Sequence, residues 1–76
     1  MLVRINSRLH SFPDGLSFAQ VKKGHYTAEF NGHQFTIVGG KASGGSANEW
    51  FVETPDGGKP IYTTGLVDSL KLITNY

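Results

Sequence analysis

Cysteine is absent from the 76 residues of this chain, so neither disulfides nor thiolate metal sites can staple it. No apolar run approaches the ~20 residues that a membrane-spanning helix requires. Met1 to Leu9 is broken by Arg4, Asn6 and Arg8 and lacks the apolar segment of a signal peptide. With no cysteine and no export signal, the expected compartment is the cytoplasm. An excess of one charge is missing as well: seven Lys and Arg face six Asp and Glu. The bases are scattered, with Lys22-Lys23 as the only adjacent pair. Nucleic-acid binders usually carry a clustered basic footprint, because neutralised phosphates supply most of their affinity.

Catalytic and metal motifs are also wanting. The glycine-rich stretch Gly39-Gly40-Lys41-Ala42-Ser43-Gly44-Gly45-Ser46 follows a strand and holds a lysine. A phosphate loop, however, needs Ser or Thr after the lysine, an earlier glycine, and a helix behind it to meet the anion. Ala42 follows Lys41, the earlier glycine is missing, and a strand comes next, so the stretch reads as a hairpin loop, of a length that suits a contact loop. His10, His25 and His33 accompany no CxxC or HExxH pattern, and His25 and His33 fall on opposite faces of one hairpin. His33 is expected at the rim of the core and His25 in solvent. No serine sits on a nucleophile elbow. The sequence therefore implies no catalytic residue, no metal and no cofactor.

What is present begins with Tyr26-Thr27-Ala28-Glu29-Phe30-Asn31-Gly32-His33-Gln34-Phe35-Thr36-Ile37. Asn-Gly is the preferred pair for a two-residue type I′ turn, since both positions need positive φ. That turn sets Phe30 opposite His33, Glu29 opposite Gln34, Ala28 opposite Phe35, Thr27 opposite Thr36 and Tyr26 opposite Ile37. Alternation then gathers Tyr26, Ala28, Phe30, His33, Phe35 and Ile37 on an apolar face, and Thr27, Glu29, Gln34 and Thr36 on a polar one.

Around this hairpin, Leu2 to Ile5 reads as a strand, with Val3, Ile5 and Leu9 pointing one way and Arg4 and Arg8 the other. Pro13-Asp14-Gly15 and Pro55-Asp56-Gly57 match type I turns. Residues 16–23 read two ways. As a helix they offer Ser17 as N-cap, Gln20 three residues on, and Gly24 as stop; as a strand they alternate poorly, so the short helix is preferred. Residues 49–54 form a strand, and Pro60 to Thr63 an edge segment. Thr64 caps a C-terminal helix whose stripe of Leu66, Leu70 and Ile73, with Val67 beside it, seeks the apolar hairpin face.

The expected architecture is α+β: a small three- to four-stranded, mainly antiparallel sheet, with the C-terminal helix packed on one face and a second short helix near residues 17–23. One domain spans residues 1–76. A chain of this size buries only about 60% of its unfolded surface, and self-association as a homodimer is a common remedy.

Trp50 and Phe51 are consecutive in a strand and must face opposite sides. If Trp50 and Val52 join the core, Phe51 emerges on the polar face, and Tyr62 poses the same question. Either the N-terminal segment folds over that face with Phe12, Leu16 and Phe18, or an aromatic patch stands exposed. The leading functional expectation is a non-enzymatic protein-binding module that engages or modulates a larger partner protein, as accessory proteins of phages and mobile elements do to host machinery. Its candidate contact residues are Phe51, Tyr62, Glu29, Gln34, Thr36 and Lys41. The alternative is a small nucleic-acid-binding β-sheet domain, with an enzyme third; no membrane partner is implied.

Overall fold

The central hairpin forms with the register that its turn dictates: β4 (His25–Phe30) pairs antiparallel with β5 (His33–Gly39), Phe30 opposite His33 and Tyr26 opposite Ile37. Asn31 and Gly32 both take positive φ, at 53° and 78°. The computed structural model describes residues 1–76, apart from the side chains of residues 42 and 43. Around the hairpin run β1 (Leu2–Ile5), β2 (Arg8–Ser11), β3 (Ser17–Lys22), a 3-10 turn (Gly40–Ser43), β6 (Trp50–Glu53), β7 (Ile61–Thr63) and helix α1 (Leu66–Thr74). Strands β3 to β7 make one five-stranded antiparallel meander in chain order, and β1 and β2 make a separate two-stranded sheet. The α+β class and the C-terminal helix thus stand as expected, with a wider main sheet.

The additional strand in that sheet is the segment read as a helix. Residues 17–22 pair along β4, Ser17 opposite Glu29 and Ala19 opposite Thr27. Two short turns of isolated helix are marginal in water, whereas a ready-made sheet edge supplies both backbone partners and a surface for Phe18. A bulge between Gln20 and Lys22 breaks the pairing and leaves Val21 65% exposed. That extra residue scrambled the alternation on which a strand assignment depends. Gly24, which suits a helix stop, instead serves the turn into β4 at φ 76°.

The N-terminal segment differs too. Asn6 and Ser7 take φ of 52° and 67°, a tight turn that sets Ile5 opposite Arg8 and Arg4 opposite Leu9. Leu9 therefore shares a face with Arg4, contrary to expectation, and is 56% exposed.

The core is one cluster: Ile5, Phe12, Leu16, Ala28, Phe35, Ile37, Val52, Leu70 and Ile73. Ile37, Val52, Leu70 and Ile73 are wholly buried, as the helix stripe and the hairpin alternation require. Ser69 is wholly buried beside them. Its hydroxyl lies 2.7 Å from Thr63 Oγ1 and donates to the Gly65 carbonyl at 2.8 Å, which removes the cost of an unpaired buried hydroxyl. The N-cap of α1 is Gly65 with no side-chain cap bond, and not Thr64 as expected, because the Thr64 hydroxyl goes to the Asp68 carboxylate.

At the other end, the Pro55-Asp56-Gly57 turn closes through Gly57 N–H to Thr54 O at 3.3 Å. The Asp56 carboxylate accepts from the Thr54 hydroxyl, from Gly58 N–H at 2.9 Å and from Tyr76 OH at 3.1 Å. These bonds, the Thr54 bond foremost, lower its pKa from 3.8. Tyr76 in turn packs edge-on against Phe35 at 5.1 Å and His33 at 5.8 Å. His33 thus lies on the inner side as expected but is exposed beyond the core, while His25 is half-buried where solvent was expected.

Candidate functional site

The face of the main sheet opposite α1 follows directly from the pairings. Ser17, Glu29 and Gln34 form one row across it. Ala19, Thr27, Thr36 and Glu53 form the next, and Lys22, His25, Val38, Phe51 and Tyr62 the third. Among the described residues, no apolar segment is packed over these rows. Phe12 and Leu16, which could have covered them, are in the core cluster with the α1 residues Leu70 and Ile73, and Phe18 pairs with core Ala28 on the inner side. The cover by the N-terminal segment is therefore overturned. The physical reason is that β3 presents Phe18 inward, which carries the preceding chain to the helix side. The flat outline of the molecule, 32 × 32 × 19 Å, agrees with two layers and no third.

Small side chains in the first two rows leave a shallow concavity of about 610 Å³, floored by Ala19, Thr27 and Thr36 and flanked by Glu29, Gln34 and Glu53. No lysine or arginine lines it. From the register, Glu29 and Glu53 stand two strands and one row apart, roughly 12 Å between Cα atoms. Beside the concavity, Phe51 and Tyr62 meet edge to face at 5.9 Å and 71°. Phe51 is half-buried and Tyr62 is 56% exposed. Tyr62 also directs its hydroxyl to the Asn48 carbonyl at 3.4 Å.

Five of the six candidate contact residues, Phe51, Tyr62, Glu29, Gln34 and Thr36, thus share one uncovered face. Lys41 does not belong with them. It lies in the turn after β5, on a second open cavity of about 690 Å³ whose walls include Tyr26 and Trp50 from the inner face. Ser17 and Ala19 belong to the outer face but were concealed by the helical reading of their segment. The second cavity has no signature in the sequence beyond Gly39, which lies on its wall. A Cβ on Gly39 would come within 1.8 Å of the Trp50 ring, so the indole lies flat on the backbone there. Its Nε1–H donates to the Ala47 carbonyl at 3.1 Å.

Among the described residues, no group of three or more His, Cys, Asp and Glu is placed to hold a metal ion, and no helix is long and apolar enough to cross a membrane. No family model, no curated protein and no solved structure matches this chain.

Proposed function

We propose that this chain is a protein-binding module that docks on a larger partner through the outer face of its main sheet, and that the partner presents a basic segment. The observation that supports this reading is the uncovered face itself: five strands carry it, and the apolar residues of the N-terminal segment and of α1 pack into the core on the other side. Its extent, roughly 20 by 20 Å from strand spacing and rise, is at least half of the ~800 Å² that a standard interface takes from each partner. Phe51 and Tyr62 supply aromatic anchors of the kind that dominate binding energy. Glu29 and Glu53 favour Lys or Arg and repel phosphates, which counts against nucleic acid on this face.

The test is peptide display against the folded protein, followed by mapping of backbone amide shifts with the selected peptides. Enrichment of Lys- and Arg-bearing peptides is expected, with shifts concentrated at Thr27, Glu29, Gln34, Thr36 and Phe51. The Glu29→Gln, Glu53→Gln double variant should bind them at least about tenfold more weakly, as expected for charge-assisted contacts. Peptides that map to another surface, or that bind the double variant equally, would overturn the reading.

A further inference from the structure

We infer that the cavity bounded by Tyr26, Trp50, Gln20, Lys23, Lys41 and Gly39 is a second site, which binds a nucleotide: a planar base joined to a phosphate. The cavity holds about 690 Å³, ample for a mononucleotide. Two of its walls are aromatic rings, Tyr26 and Trp50, with centroids 6.0 Å apart and planes tilted by 37°. Such rings give a base a stacking surface without requiring a particular base. Trp50 is fixed on one side by the Gly39 backbone and at its edge by the bond to Ala47. Its position is thus set before any ligand arrives.

The electrostatics of the cavity select the rest of the ligand. Lys23 and Lys41 are exposed on its lining and form no ion pair among the described residues, while no carboxylate lines it. Glu49, the nearest acid in sequence, has its carboxylate directed to Ser46 N–H at 3.3 Å. Two ammonium groups match the charge of a phosphate monoester, which is close to −2 at neutral pH. Gln20 brings an amide that both donates and accepts, as the edge of a base requires. A purely apolar ligand would leave both lysines unused, and inorganic phosphate would leave both rings unused. This site shares no residue with the outer face, so the two proposals stand or fall separately.

Trp50 is the only tryptophan in the chain, so its fluorescence reads the cavity directly. Nucleoside 5′-monophosphates should quench or shift the emission saturably at low salt, corrected for absorption by the base. The matching nucleosides and inorganic phosphate, each supplying half of the chemistry, should bind at least about tenfold more weakly. Lys23→Gln and Lys41→Gln should each weaken binding about tenfold, the gain expected of one charge-assisted hydrogen bond. Both side chains are exposed, so folding is not at risk, and unchanged emission of the free variants would verify it. Glu29→Gln on the outer face should leave nucleotide binding unchanged. A short single-stranded oligonucleotide that binds much more tightly than the monophosphate would identify the nucleotide as part of a strand; equal affinity would identify a free nucleotide. No saturable response to millimolar monophosphate, equal responses to the nucleosides, or wild-type affinity in the Lys23→Gln, Lys41→Gln double variant would each overturn the inference.

Discussion

The two faces of the main sheet are built from the same strands, residue by residue in alternation, yet they have opposite fates. The inner face carries Ala28, Phe35, Ile37 and Val52 and is sealed with Leu70 and Ile73. The outer face carries Ser17, Ala19, Thr27, Glu29, Gln34 and Thr36, and among the described residues no apolar segment is packed over it. The contrast separates two demands on one small chain. With so little surface to bury, stability is concentrated on the face that has a partner within the chain. The other face is released from that demand, and its composition is free to serve recognition.

Substitutions can break or sharpen this contrast. The largest effect is expected from Leu70→Ala, which empties a wholly buried site and should cost about 2–5 kcal/mol in denaturant unfolding. Thr36→Val on the outer face should change stability by no more than about 0.5 kcal/mol. Comparable losses from the two would show that the outer face is structural after all.

Gly39→Ala probes the inner face where it meets the second cavity. The added methyl has no room beneath Trp50, so a loss of about 1–3 kcal/mol is expected. A shifted tryptophan emission should accompany it. Unaltered emission and stability would mean that the indole does not rest on this backbone.

Ser69→Ala tests the polar contact sealed within the inner layer. It removes the hydroxyl that meets Thr63 at 2.7 Å in a buried setting, and the expected loss in thermal or chemical unfolding is about 1–2 kcal/mol. A neutral result would show that Thr63 finds its partner elsewhere.

The smallest effect concerns Asp56 and Tyr76, at the end of the sheet. Hydrogen bonds from Thr54, Gly58 and Tyr76 lower the pKa of Asp56 from 3.8. Its contribution is therefore present above the unfolded value and is lost as pH falls below about 4 through the folded one. Tyr76 is raised from 10.0 by desolvation first, then by the Asp56 bond and charge. Its contribution is present below pH 10 and is lost as pH rises through the folded value. Tyr76→Phe should move the Asp56 carboxyl titration, followed by NMR, back towards its ordinary range. An unmoved titration would remove the bond from the account.

The central hairpin was legible because turn chemistry and alternation agree there: Asn31-Gly32 sets the register that the pattern of Ala28, Phe35 and Ile37 also demands. The C-terminal helix was legible from the spacing of Leu66, Leu70 and Ile73. Residues 17–22 were not, because one bulged residue, Val21, destroys the period of a strand and Gly24 suits either a helix stop or a hairpin turn. Of the candidate contacts, Phe51, Tyr62, Glu29, Gln34 and Thr36 followed from strand parity alone. Lys41 was misplaced among them, since parity carries no information about which way a glycine-rich turn leads.

The sequence by itself determined local geometry: the positive-φ turns, the two periodicities, and therefore which residues share a face. These depend only on near neighbours and on the stereochemistry of Asn, Gly and Pro. Only the tertiary structure decided whether the second face is covered as well. Phe12 and Leu16 are apolar enough to have buried either one, and their choice depends on the path of β3, an edge strand whose stability comes from β4 and not from its own residues. Tertiary contact also brought Trp50, Tyr26, Lys23 and Lys41 to one cavity, at one end of three consecutive strands of the meander.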